Sequence, residues 1–309
     1  MYWCGDVTSE ISVTTTAGPL AIGTTPLLMG VVNATPNSFS DAGQLRTLAQ
    51  RVARAETLLD AGADLIDVGG QSGVTNEPEI PVAEEIGRVL PLVRALAAER
   101  DVLVSVDTYR PEVARAVLDA GAAIVNDTSG LLYPDVAVAC AEAGAGLVVM
   151  HNRGRPKQRL TDPALYDDVV EDVVSFLRER IAVAGEHGLS PEHVIVDPGP
   201  DFAKTPAQTV QVLRRLDRVE ALGRPVLLAL SRKDFLGVIT GRRPRERLAA
   251  TLAAVAAVTG RPGHILRVHD VAEVRDLLRV LAVLRGDAEI ADDAELAEHL
   301  RREPPAPAP

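Results

Sequence analysis

VLVSVDTYRPEVARAVLDAGAAIVND, residues 102–127, contains one complete structural unit followed by the start of the next. Val102–Asp107 is a short apolar run without polar alternation, which suits a strand buried on both faces, as in a parallel sheet. Pro111 stands where a first helical turn tolerates proline, and an amphipathic stretch follows it to Ala120. Gly121 fits a helix C-cap, and Ala123–Asp127 is a second apolar run of the same kind.

The unit recurs along the chain. Apolar runs occupy Leu27–Asn33, Leu65–Gly69, Val102–Asp107, Ala123–Asp127, Leu147–His151, Val194–Asp197, Val226–Ser231 and Ile265–His269. Helix-like stretches lie between them, as at Leu45–Ala61, Pro111–Ala120 and Arg245–Gly260, and Gly62, Gly144 and Gly188 repeat the C-cap of Gly121. The phrase AGA at 61–63, 120–122 and 143–145 marks equivalent helix-to-strand turns. Eight such units across residues 27–286 predict a closed (β/α)8 TIM barrel, with a doubly wound open sheet as the runner-up. Residues 1–26 form an N-terminal extension, expected to make a hairpin around Gly18–Pro19 that plugs the barrel bottom. Residues 287–309 form an acidic, then Pro/Ala-rich tail that cannot build a core.

The 309 residues are 47% hydrophobic and 24% charged, enough for one large core. A formal net charge of −11 argues against a nucleic-acid partner, which usually calls for a basic excess, while leaving room for a small anion in a local basic pocket. Cys4 and Cys140 form no CxxC pair and no metal-like cluster, so reduced thiols are expected. No apolar run reaches the roughly 18 residues of a membrane span. Met1–Ser12 lacks the basic start and apolar stretch of a secretory signal. A cytoplasmic protein is therefore expected.

Each apolar run closes on polar residues: Asn33, Asp67, Asp107, Asn126 with Asp127, His151, Asp197, Ser231 to Lys233, and Arg267 with His269. A single acid at a strand end is as often a helix cap as a functional group. Eight in register are harder to explain that way, because a barrel gathers its strand ends at one mouth. Asp107, Asn126 and Asp197 offer acceptors and an amide, suited to a planar heterocycle with an amino-imine edge. Lys233, Arg267 and His269, with Asn33, suit an anion such as diphosphate. Mg²⁺ takes few protein oxygens beside phosphate and water, so Asn33 is a candidate metal ligand; it serves equally well as a strand-end Asn bonded to the next loop.

The motifs also match a known family. MGVVNATPNSFSDAG at Met29–Gly43 resembles the first signature of the dihydropteroate synthases, and ADLIDVGGQS at Ala63–Ser72 resembles the start of the second. VSVDTY at 104–109, VNDTSG at 125–130, VMHNRGRPK at 149–157, VDPGPDFAK at 196–204, LSRKDFLG at 230–237 and RVHD at 267–270 follow in family order. The resemblance runs from about Leu27 to Gly286 and implies a TIM-barrel transferase of folate biosynthesis. Such an enzyme condenses (7,8-dihydropterin-6-yl)methyl diphosphate with 4-aminobenzoate. By the resemblance, Asp107, Asn126, Asp197 and Met150 hold the pterin, Lys233 reaches its ring oxygen, and Arg267 and His269 hold diphosphate. Asn33 then meets Mg²⁺, Phe202 contacts the aromatic substrate, and Lys233, Arg267 and His269 are the expected catalytic residues. A mobile lid over Pro36–Gly43, carrying Phe39, and a homodimer through the last barrel helices are also expected.

The sequence departs from the family pattern chiefly on the 4-aminobenzoate side. The second signature usually continues with Glu, Ser, Ser or Thr, Arg, Pro and Gly, where this chain has Gln71, Ser72, Gly73, Val74, Thr75 and Asn76. Asn37 replaces a common Asp. Asp234 replaces a Ser that helps hold the substrate carboxylate, a repulsion of about a kcal/mol or more at short range unless Lys233 or Arg232 compensates. A pterin-binding paralogue with another second substrate or none is therefore the main alternative. A non-catalytic pterin-binding barrel and a corrinoid-dependent methyltransferase stand behind it; the latter would leave Arg267 and His269 without a task.

Overall fold

A computed structural model of the chain describes residues 10–35, 47–71, 78–99 and 102–301. Strands β1 (Ile11–Thr15) and β2 (Gly18–Ile22) pair antiparallel as a hairpin. Eight parallel strands follow: β3 (Leu27–Asn33), β4 (Leu65–Gly69), β5 (Leu103–Asp107), β6 (Ile124–Asp127), β7 (Gly146–Met150), β8 (Val194–Asp197), β9 (Val226–Leu228) and β10 (His264–Val268). They pair in sequence order and close through β10 and β3. The expected barrel is the one found, and the open sheet is excluded. Helices α1 (Leu48–Asp60), α2 (Val82–Glu99), α3 (Pro111–Leu118), α4 (Asp135–Ala143) and α5 (Val169–Glu186) return the chain between strands. The last crossovers use α6 (Pro206–Arg214) with α7 (Asp217–Glu220), then α8 (Asp234–Thr240) with α9 (Leu248–Val258), and α10 (Val271–Arg285) follows the final strand.

Local chemistry adjusts the expected boundaries by a few residues. Within the expected stretch Leu45–Ala61, of which Leu45 and Arg46 lie outside the described residues, α1 starts at Leu48, because the Thr47 hydroxyl accepts from the Gln50 amide while the Gln50 side chain accepts from the Thr47 amide. Arg245–Gly260 divides into a single 3-10 turn at Pro244–Glu246 and α9. Gly121 ends the α3 turn at φ 102°, and a Cβ there would stand 2.8 Å from the Ala97 Cβ, so both conformation and space require glycine.

Side chains alternate across a strand, and this parity divides the barrel into two compartments. Outward residues such as Leu28, Ile66, Val104, Val125 and Leu147 join the helices in the main core. Inward residues Met29, Leu65, Ile124, Val148, Leu227 and Ile265 form an apolar floor, closed from below by Val13 and Ile22 of the hairpin. Each fully buried aliphatic side chain contributes about 1.5–3 kcal/mol. The next inward positions, an even number of residues further along, are Asn33, Asp67, Ser105, Asp107, Asn126, Asp197 and Arg267. Apolar floor and polar mouth are thus two ends of one inward-facing row.

Parity also corrects the expectation that all the polar strand ends converge on the mouth. Asp127 and His151 lie an odd number of residues from the floor and face out of the barrel. Asp127 accepts from the amides of Ser129 at 2.6 Å and Leu131 at 3.1 Å, which shapes the turn into α4. His151 is fully buried against α5, where its Nε2 lies 2.9 Å from the Asp172 carboxylate.

Candidate active site

Asp67, fully buried on β4, is the centre of the polar layer. One carboxylate oxygen accepts from the Ser105 hydroxyl at 2.6 Å. The other accepts from Arg267 Nε at 2.7 Å and from the Asn126 amide at 3.4 Å. Arg267 Nη2 also donates to Asp107 at 3.4 Å. Burial alone would lower the Arg267 guanidinium, but Asp67 and then Asp107 hold it above its ordinary value. Composition and spacing mark Asp67 only as a strand end. Its signal was available, since it falls on the same inward parity as Asp107.

Asn126, 2% exposed, donates to Asp67 while its Oδ1 is buried without a hydrogen-bond partner. Native proteins rarely leave such an acceptor unused, so it marks a place for a donor. Asp197 is equally buried and accepts from the Gly199 amide at 2.7 Å. Burial pushes its carboxyl up to about 6, opposed by that bond and by Lys233. Burial also raises Asp107, with the Asp67 charge adding to the shift and Arg267 opposing it. Met150 is buried and pairs in register with Asp197. The mouth therefore combines carboxylates, an orphan amide oxygen and an apolar neighbour.

Lys233 sits at the start of α8 with its ammonium 4.3 Å from the centre of the Phe202 ring. Burial lowers its pKa, while Asp201 and Asp197 raise it. His269 follows β10, with Nδ1 3.0 Å from the Ser231 hydroxyl. Asn33 ends β3 beside Gly69, its register partner on β4. No group of three His, Cys, Asp or Glu side chains able to hold a metal occurs among the described residues. One neutral oxygen suits an ion that arrives with a phosphate ligand better than one the protein holds alone.

The charge of Asp234 is handled differently from expectation. Its carboxylate, 62% exposed, pairs with Arg247 at 3.0 Å. Arg232, one of the two expected compensators, is engaged with Asp270 at 2.5 Å. Arg247, only 8% exposed, also donates to the carbonyls of Arg232 at 2.8 Å and Lys233 at 3.0 Å, fastening the loop that carries Lys233. Gln71, in place of the family's Glu, donates to the Tyr109 hydroxyl at 2.8 Å and accepts from the Ile80 amide at 3.1 Å. Asn37, Phe39 and the rest of the Pro36–Gly43 lid, with Gly73, Val74 and Thr75, lie outside the described residues.

The sequence model of a family described as "Pterin binding enzyme" matches residues 29–269. The dihydropteroate synthase of Synechocystis sp. is 39% identical over 82% of this chain and 90% of that protein. A probable bifunctional folylpolyglutamate synthase/dihydropteroate synthase of Haloferax volcanii is 44% identical over 80% of the chain, which spans 29% of that relative. A solved Xanthomonas albilineans dihydropteroate synthase with 4-aminobenzoic acid superposes with a TM-score of 0.81 at 39% identity, covering 90% of this chain and 99% of that one.

Proposed function

The chain belongs to the pterin binding enzymes and, among them, to the dihydropteroate synthases; from that premise we propose that this mouth joins (7,8-dihydropterin-6-yl)methyl diphosphate to 4-aminobenzoate. The observation that carries the reading is the unpartnered Oδ1 of Asn126 in a layer that also holds the buried Asp197 carboxylate. A pterin ring presents adjacent N–H donors along one edge, and an amide oxygen with a carboxylate accepts them in the strong charge-assisted manner. Asp107 takes a further ring donor, Met150 packs on the ring, and Lys233 donates to the ring oxygen.

In the reaction, the bond between the pterin methylene carbon and the diphosphate oxygen breaks, and the electron pair leaves with diphosphate. The carboxylates of Asp67, Asp107 and Asp197 stabilise the cation left behind, while N–H groups of Arg267 not used by Asp67 and Asp107, together with His269, stabilise the departing anion. The aniline nitrogen then attacks the methylene carbon and releases its proton to water. No side-chain nucleophile is needed. Asn33 is the residue that would meet Mg²⁺ carried in with the diphosphate, where the ion neutralises anionic charge. The aromatic substrate lies against Phe202, beside Lys233.

Diphosphate release coupled to dihydropteroate formation, measured with 4-aminobenzoate present and absent, tests the reading. Release that depends on 4-aminobenzoate is expected. Pterin binding without release would favour a binding protein or a paralogue with another nucleophile, the alternative that Gly73, Val74 and Asp234 keep in view.

Two solution properties follow from the proposed site. Pterin N–H groups bind the ionised form of Asp197, whose carboxyl titrates near 6 in the free protein. Affinity measured by calorimetry should fall as pH drops, first as Asp107, raised to about 7, takes up its proton and then as Asp197 does. The folded protein alone should show the opposite slope from this group. Its raised pKa means that the folded chain binds more protons than the unfolded one between about 4 and 6, so this contribution to stability declines as pH rises through that window. Separately, millimolar diphosphate with Mg²⁺ should raise the melting temperature by mass action, and the shift should shrink in His269→Ala. An unchanged melting temperature would argue against the anion site.

A homodimer is part of the same proposal. Val238 and Ile239 on α8 and Val280 and Leu284 on α10 are 56–77% exposed, both helices pack against α9, and large exposed apolar side chains favour a covered face. Sedimentation should give twice the chain mass. No described helix is long and apolar enough to cross a membrane, and the free, buried Cys140 thiol fits a reducing cytoplasm.

A further inference from the structure

Lys204 is a lysine only 2% exposed, and it lies at the end of the loop between β8 and α6, where its charge and those of Asp197 and Lys233 act on one another. An ammonium group has three donors and no acceptor. Here they meet His151 Nδ1 at 2.7 Å, the Gly199 carbonyl at 3.0 Å and the Phe202 carbonyl at 3.1 Å, with the His151 carbonyl further off at 3.5 Å. Since the Asp172 carboxylate accepts, the ring proton sits on Nε2, which donates to Asp172 at 2.9 Å, and Nδ1 is the nitrogen that accepts from Lys204. Arg153 closes the chain from outside with paired bonds to Asp172 of 3.0 and 2.8 Å. A continuous line of polar contacts thus runs from the surface to the two carbonyls of this loop.

The loop needs such an anchor. Asp201 at φ 65° and Ala203 at φ 48° hold left-handed backbone that side-chain-bearing residues rarely adopt, and such strain persists only where surrounding contacts over-determine it. At Gly199, φ 65°, a Cβ would stand 2.2 Å from the His151 carbonyl oxygen, so the loop lies directly against the strand end that Lys204 also grips. From other sides the Tyr166 hydroxyl donates to the Ala203 carbonyl at 2.7 Å, and the Asp201 carboxylate accepts from the Asp234 amide at 2.6 Å at the start of α8. Between these fastenings stands Phe202, whose ring faces the Lys233 ammonium.

We propose that Lys204 is a positioning residue: its buried ammonium group clamps the loop after β8 in the shape that seats Phe202 against Lys233. The proposal rests on the functional reading above, in which Phe202 and Lys233 contact the aromatic amine and the pterin. Lys204 itself touches no substrate. Its loss should therefore fall on the aromatic substrate more heavily than on pterin binding through Asp197 and Asn126.

The test compares Lys204→Met, which keeps length and loses the donors, with Lys204→Arg, which keeps donors and charge. For Lys204→Met the KM for 4-aminobenzoate should rise about tenfold or more while the pterin Kd stays within about threefold, and Lys204→Arg should recover part of the loss. Amide exchange in residues 199–204 should quicken at least tenfold in Lys204→Met, with exchange in β3 to β5 unchanged. If Lys204→Met does not fold, Asp172→Asn at the outer end of the chain serves instead, with a smaller KM increase of about two- to fivefold. An unchanged KM in a folded variant, or equal loss of pterin and aromatic binding, overturns the proposal. Should the unsubstituted protein form no dihydropteroate, the functional reading fails, and amide exchange alone decides whether the clamp exists.

Discussion

Replacing Asp67 with Ala is expected to remove about 3–5 kcal/mol of stability, because it leaves the Arg267 guanidinium partly buried without its nearest counter-charge. The Ser105 hydroxyl and the Asn126 amide lose their acceptor at the same time. For a chain of this size the melting temperature should fall by roughly 6–20 °C. Catalysis should suffer more than stability alone explains, since Arg267 is then free to settle on Asp107 and leave the position from which it meets the departing diphosphate. Asp67→Asn separates the two effects. It preserves shape and one acceptor oxygen, so it should melt closer to the unsubstituted protein while still losing most of its turnover. Thermal melts of both variants beside diphosphate-release rates give the comparison. Full activity in Asp67→Asn would remove Asp67 from the site and return it to the role of a strand-end acid.

Asp197→Asn is expected to weaken pterin binding by roughly 10- to 150-fold, the equivalent of one charge-assisted hydrogen bond at about 1.5–3 kcal/mol. The variant isolates charge from geometry, since the Asn oxygen can still accept from the Gly199 amide as Asp197 does at 2.7 Å. The decline of affinity at low pH should become shallower with it, because the group whose carboxyl is raised to about 6 is gone and only Asp107 still titrates. Calorimetry at two pH values, one on either side of 6, reads both effects. Affinity within twofold of the unsubstituted protein at the higher pH would show that the pterin edge is held elsewhere.

The eight apolar runs, their polar ends and the glycine-closed helices were legible in the sequence because they are local. A strand buried on both faces requires a short unbroken apolar run, and a helix end requires a residue that tolerates a left-handed backbone. The order of motifs carried the family for the same reason. Which polar ends face one another was only partly local. Parity along each run separates Asp67 and Asp107 from Asp127 and His151, yet it has meaning only when the apolar floor is known, and the floor is made by strands distant in sequence.

The partners of each charge were not legible at all. Arg267 meets Asp67 across 200 residues, Arg247 pairs with Asp234 while Arg232 is engaged with Asp270, and Asp201 caps a helix 33 residues further on. An ion pair depends on distances of a few ångströms, and no spacing in a chain states which side chains the closed barrel brings that near. By itself the sequence determined the barrel, its family and the inventory of groups at the mouth. The tertiary structure alone decided how those groups are paired, because pairing follows from closure of the barrel, a property that no single strand possesses.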